Sequence, residues 1–261
     1  MKKISVITGA TGGMGSAFAK QLAQRSYQLV LVDINRAKLN KLAQELRTSY
    51  KIDVEILVAN LAVTKSVKQL ADELASRKRV DMFVHAAGYG EKTFFGKEDI
   101  RKSLDMISVH VLSAVQLIHA LLPAMLRRKK GAVVVLSSLA SFIPAPGSSI
   151  YSATKSFINT FLESLHMEVH TKGIHVQSLC PGLTHTGFHT DADIKRFEGI
   201  GGLDMWMEAD EVAEISLAAL DDGKVICIPG LINKSLKATA GVLPRKSYYA
   251  LAEKLYLKTK S

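Results

Sequence analysis

The stretch "ITGATGGMGSAFAKQLA", residues 7–23, decides how the chain is read. Four glycines, Gly9, Gly12, Gly13 and Gly15, fall within seven positions, just after an apolar run and just before a helical pattern. Without a Cβ the backbone can turn tightly, and a phosphate can approach main-chain N–H groups. A helix that starts at the same point adds the positive end of its dipole. The stretch therefore predicts strand, phosphate-binding turn and helix in that order. The next apolar run, "QLVLV", ends at Asp33, and a carboxylate about 20 residues past such glycines can accept from the ribose hydroxyls of an adenosine. It also repels a 2′-phosphate, which favours NAD over NADP. The absence of Lys and Arg from the turn argues the same way, while Arg36 is near enough to argue the opposite.

Outward from this unit the pattern repeats. The runs "ISVIT", "QLVLV", "VEILVA", "DMFVHA", "AVVVLSS", "HVQSLC" and "KVICIP" are short, apolar and β-branched. Helical periodicity occupies most gaps, as in residues 17–25, 36–47, 66–76 and 108–128. Buried strands alternating with helices predict an α/β fold: a doubly wound parallel sheet of about seven strands covered by helices on both faces. No Pro- or Ser-rich linker divides residues 1–230, which read as one domain. Residues 231–261 read as a basic helical extension.

Length and composition agree with a packed core, since 261 residues with 48% hydrophobic and 22% charged content are ordinary for a globular protein. The net charge of +10 is uneven. Lys234, Lys237, Arg245, Lys246, Lys254, Lys258 and Lys260 oppose only Glu253, so residues 231–261 hold +6 of it. The clusters at residues 77–79 and 127–130 each follow a predicted helix, where cations favour the dipole. Neither is interleaved with aromatics, and no nucleic-acid recognition motif accompanies them. Two cysteines, Cys180 and Cys227, make no close-spaced framework, as expected of a reducing compartment. The first residues open like a signal peptide, but the glycines interrupt the apolar run. No stretch of about 18 uninterrupted apolar residues occurs. The expectation is a cytoplasmic protein.

A second stretch, "IYSATKSF" at residues 150–157, sets Tyr151 and Lys155 one helical turn apart, on the same face. A phenol ordinarily titrates near pH 10, and a cation beside it favours the phenolate. The order Thr8-Gly9-x-x-x-Gly13-x-Gly15, then Ser138, then Tyr151-x-x-x-Lys155 resembles the short-chain dehydrogenase/reductase family. "AAG" at residues 86–88 and "PGLTHT" at residues 181–186 agree, and the match covers residues 4–228. The resemblance implies a Rossmann-type dinucleotide-binding domain and hydride transfer between NAD(H) and an alcohol or ketone. It implies Tyr151 as acid/base, Lys155 as tuner of the phenol and holder of the nicotinamide ribose, and Ser138 as partner of the substrate oxygen. Ser137 is equally polar, but the family spacing selects Ser138. Cofactor contacts are implied for Gly9, Thr11, Gly13, Met14, Gly15, Asp33, Asn60, Leu61, Ala87, Gly88, Tyr151 and Lys155. After the sixth strand they are implied for Pro181, Gly182, Leu183, Thr184 and Thr186, with Thr186 at the carboxamide. A homodimer or homotetramer built on the two long middle helices follows from the same resemblance.

The chain departs from the family in places. His85 and Ala86 stand where an Asn pair is common, and Asn60 where Asp often meets the adenine. His110 replaces an Asn tied to proton relay, so His110 is a candidate relay member or a core histidine. His166 and His170, and His185 and His189, are spaced four apart, but neither pair has a third ligand at suitable spacing, so no metal is expected. Residues 187–207 read either as a lid with Phe188, Leu203, Met205, Trp206 and Met207 as an apolar wall, or as core packing. The basic extension could lie on an anionic membrane or pack on a subunit. Two rival functions stay open: an NADPH-dependent ketoacyl-type reductase, and a dinucleotide-binding regulatory protein without turnover.

Overall fold

The computed structural model describes residues 2–90, 93–188 and 205–258. In chain order its strands are β1 (Ile4–Thr8), β2 (Gln28–Asp33), β3 (Val54–Val58), β4 (Met82–His85), β5 (Gly131–Leu136), β6 (Ile174–Leu179), β7 (Thr184–His185), β8 (Met207–Glu208) and β9 (Ile226–Cys227). The helices are α1 (Gly13–Gln24), α2 (Arg36–Tyr50), α3 (Thr64–Ala75), α4 (Ile100–Ile107), α5 (Ser113–Arg128), α6 (Ser149–Val169), α7 (Ala209–Asp221), α8 (Leu231–Val242) and α9 (Arg245–Lys258). Seven strands form one parallel sheet in the order β3–β2–β1–β4–β5–β6–β9, and β7 pairs with β8 in a separate ribbon. All seven come from the seven apolar runs of the sequence. The ribbon does not, because two-residue strands carry no period to detect.

Val6 pairs with Val30 on one side and Phe83 on the other, so both faces of the central strands are buried. On one face α1, α2 and α7 cover Ile7, Leu29 and Leu31 with Phe18, Leu22, Leu39 and Leu217. On the other, α3, α5 and α6 cover Val6, Val30 and Phe83 with Leu70, Leu117, Ile118, Ile158 and Leu162. Each such side chain, fully buried, contributes about 1.5–3 kcal/mol. The strand order reverses between β1 and β4, and there the carboxyl ends of the strands leave a crevice for a ligand.

The helix expected over residues 108–128 begins earlier. α4 and α5 run as one 29-residue helix, Ile100–Arg128, interrupted by a π-helical turn at Ser108–Leu112. Its length and composition would suit a bilayer, yet 56% of its most apolar window is buried inside the protein, and it packs on α3 and α6 as a core element. The extension folds into α8 and α9 and is docked by Tyr248, which is 5% exposed and donates its hydroxyl to the Pro144 carbonyl at 2.6 Å.

Candidate active site

The first turn of α1 has Gly12 as its N-cap, no side-chain cap and no acidic residue, so its N–H groups and dipole face the crevice. Gly9 lies at φ +64°, and a Cβ there would reach the Ala87 main chain at 2.5 Å. Only glycine permits this approach of the turn to the segment after β4. A Cβ on Gly13 would reach Thr186 at 2.5 Å, so the "PGLTHT" segment sits directly on the turn. Asp33, at the end of β2, accepts from the Thr11 N–H at 3.0 Å and the Thr11 hydroxyl at 2.8 Å. The carboxylate thus lies against the glycine turn. The Asn60 side-chain oxygen accepts from the Ala62 N–H at 3.0 Å, while Leu61 is buried beside it. Met14 also packs into the core and offers chiefly main chain to the crevice.

Ser138 follows β5 and Tyr151 opens α6, so both reach the carboxyl edge of the sheet. The structure separates the two adjacent serines. Ser137 is buried and donates to the Lys155 carbonyl at 2.9 Å, a structural bond. Ser138 faces the Tyr151 phenol, and its Oγ accepts from the Ala140 N–H at 3.1 Å. Burial pushes the Tyr151 phenol above its ordinary value, and the neighbouring Ser138 hydroxyl draws it back. Lys155 is 5% exposed; its Nζ donates to the Leu136 carbonyl at 2.8 Å and lies 5.6 Å from the centre of the Tyr151 ring. Burial lowers its pKa to about 8. The sequence brings serine, phenol and amine together as expected, but in this pocket desolvation, more than mutual attraction, sets both titrations.

His110 projects from the π turn and is 1% exposed. Its Nε2 lies 3.1 Å from the Tyr89 N–H, which makes Nε2 an acceptor and leaves the proton on Nδ1, 3.0 Å from the Thr154 Oγ1. Burial, then Lys155 and His85, hold it well below the usual histidine range. It is a neutral group whose ring meets Tyr151 edge-on, 5.8 Å between centres. Both ring nitrogens are engaged, by Tyr89 and Thr154, and the ring forms part of the wall of the site.

Sequence reasoning missed the part played by His85. Its Nε2 donates to the Val109 carbonyl at 3.1 Å and its Nδ1 accepts from the Thr8 hydroxyl at 2.8 Å, so it joins β1 and β4 to the π turn. The only signal was that His85 and His110 both replace expected asparagines. The apolar wall is divided. The Phe188 ring lies 6.0 Å from the Tyr151 ring and fills the space where a Cβ on Gly90 would sit. Trp206 instead stacks on His185 at 4.7 Å, beside a cleft of about 500 Å³ lined by Gly13, Ser16 and Lys20. Met207 packs into the core, because pairing of β7 with β8 turns this segment away from Tyr151. Residues 189–204, which include His189 and Leu203, lie outside the described residues. Pro181 accepts from the Leu139 N–H at 2.9 Å, and Gly182 rests on Asn233 of α8. Leu183 accepts from the Met207 N–H at 3.1 Å, and Thr184 is buried beside it.

Comparison with known proteins places this geometry. The human protein called inactive hydroxysteroid dehydrogenase-like protein 1 is 34% identical over 179 residues, covering 68% of this chain and 54% of that one. The very-long-chain 3-oxoacyl-CoA reductase of Anas platyrhynchos is 32% identical over 181 residues, covering 68% and 58%. The chain thus spans little more than half the length of these curated relatives. A short-chain dehydrogenase from Sphingobium yanoikuyae, solved in complex with NADPH, is 26% identical with a TM-score of 0.79, over 93% of this chain and 96% of that one. A family model described as "short chain dehydrogenase" matches residues 3–196, and the chain belongs to that family.

Proposed function

We propose that this protein is an oxidoreductase that moves a hydride between NAD(H) and the carbon of an apolar alcohol or ketone. The observation that carries the reading is the meeting of Ser138, after β5, with Tyr151 and Lys155 of α6, the Lys155 amine 5.6 Å from the Tyr151 ring centre, at the sheet edge that also holds the glycine turn. When bound, the nicotinamide supplies the hydride acceptor or donor. The chain's own groups do the rest. The start of α1 would hold the pyrophosphate, Asp33 the adenosine ribose, and Lys155 the nicotinamide ribose. Ser138 holds the substrate oxygen. In reduction the neutral Tyr151 phenol would give its proton to the substrate oxygen; in oxidation the alcohol proton would pass to the Tyr151 phenolate, which must form first. Phe188 shields this oxygen from water on one side.

Asp33 supports NAD, because a carboxylate at the end of β2 would repel a 2′-phosphate. The NADPH-dependent 3-ketoacyl-type alternative draws on the NADPH complex of the related structure and on Arg36, exposed at the start of α2. We further infer a homodimer or homotetramer in a cytoplasmic, reducing compartment, which suits two buried free cysteines. The test is a screen of ketones and alcohols, followed by nicotinamide absorbance with each cofactor. Turnover with NADH exceeding NADPH is expected, and Tyr151→Phe should lower kcat by about 10²–10⁴-fold. A Tyr151→Phe protein with full activity would remove the catalytic assignment, and a clear NADPH preference would remove the role given to Asp33.

A further inference from the structure

Helix α8 is amphipathic the wrong way round for a helix packed only on its own domain. It buries Asn233 and Ala240, while Leu231 is 79% and Val242 82% exposed. Positions 231, 238 and 242 are seven and four apart, so Leu231, Ala238 and Val242 share the outward face. Single exposed aliphatics are common. Two of them on one face, while an amide is buried on the other, need a partner. Lys234, Lys237, Arg245, Lys246 and Lys254 are exposed around this face, and no salt bridge among the described residues engages them. Tyr249 and Leu251 add exposed apolar surface on α9.

The charge selects the partner. A second copy of this face would bring the same excess of cations against itself. Nucleic acid would satisfy the cations and leave Leu231 and Val242 in water. A bilayer with anionic headgroups satisfies both, through apolar insertion between headgroups and attraction of the lysines to them. We propose that α8 and α9 dock this protein peripherally on an anionic membrane.

Docking there has a consequence for the site. Tyr248 bonds the Pro144 carbonyl, and the Lys237 amine sits 4.9 Å over the Phe142 ring. Both targets belong to the segment between Ser138 and Tyr151, so the docked surface adjoins the segment that joins these two residues. Lipid-soluble carbonyl compounds or alcohols, delivered from the bilayer, are the matching substrate class. This last step rests on the proposed dehydrogenase reading; the docking itself does not.

The full chain is sedimented with phosphatidylcholine vesicles, with and without phosphatidylserine, at low and high salt. Binding is expected only with phosphatidylserine, and it should fall at high salt. Each basic residue near an anionic surface contributes roughly fivefold, so Lys234→Glu/Lys246→Glu/Lys254→Glu should weaken binding about a hundredfold or more. Leu231→Ser/Val242→Ser should weaken it several-fold, with unchanged thermal melting in both variants. Absence of binding, equal binding to both vesicles, or variants that bind like the parent would overturn the proposal. So would a Leu231→Ser/Val242→Ser protein whose oligomeric state changes in ultracentrifugation while vesicle binding does not. Vesicle binding that persists alongside a fully active Tyr151→Phe protein would leave the docking intact and discard the catalytic reading.

Discussion

Lys155 carries its amine into a pocket where 5% of the residue is exposed, and burial lowers its pKa from 10.5 to about 8. Between those two values the unfolded chain holds a proton that the folded protein has released. Stability therefore rises with pH across that window, and below it the protein bears the whole desolvation cost of the ammonium. A tenfold change in proton affinity corresponds to about 1.4 kcal/mol. Lys155→Met removes that cost and leaves the Leu136 carbonyl without its donor, which offsets about 1–3 kcal/mol. We expect the variant to be inactive yet no less stable than the parent near neutral pH. Its relative stability should decline as pH rises from 8 to 10.5, read from urea midpoints at each pH. A parent–variant difference that stays flat over that range would show that burial does not tune this amine. The tyrosine and lysine were legible in the sequence because one helical turn fixes their relation. The dominance of desolvation was not, because it depends on what the surrounding elements pack around them.

At the scale of elements, the π turn Ser108–Leu112 is the irregular part of an otherwise regular α/β layer. Within the turn the Val109 carbonyl accepts from the Ser113 hydroxyl at 2.6 Å and from His85. The turn aims His110 at Thr154 and Tyr89, so His85, through Val109, positions one wall of the site. Both partners of His85 are interior, and the ring is held neutral, with burial lowering its pKa to about 4. His85→Ala should cost about 2–4 kcal/mol, since a cavity forms and the Thr8 hydroxyl and part of the Val109 carbonyl lose their partner. His85→Asn, which can keep one of the two bonds, should cost less. Urea denaturation of the pair measures this, and equal losses would mean that packing volume alone matters. The glycine turn was readable because its demand is local, a close approach within a few residues. The His85 tie spans 24 residues to Val109 and 77 to Thr8, a pairing that only the closed sheet creates.

For the whole molecule, the seven parallel strands and the crevice at their carboxyl ends followed from alternation of apolar runs with helices, because a sheet buried on both faces leaves that record. How the outer helices meet the world left none, since exposure depends on which side the sheet takes. Two apolar faces emerge, and they differ in charge. That on α8 and α9 is crowded with lysines. The other, on the π turn and α6, exposes Leu112 at 49%, Phe157 at 44% and Met167 at 68%, with Phe157 stacked on Phe161 at 5.9 Å. Glu163 and Glu168 lie near it on α6, so it lacks the single-sign field that would oppose a second copy. The homo-oligomer proposed above would form through this face. Phe157→Glu/Met167→Glu places like charges on both sides of a symmetric contact, where they repel and lose apolar burial at once. Sedimentation velocity should show a dimer or tetramer for the parent and a monomer for the variant, while vesicle binding through α8 and α9 persists in both. A parent that sediments as a monomer, or a variant whose assembly is unchanged, would assign this face to another partner.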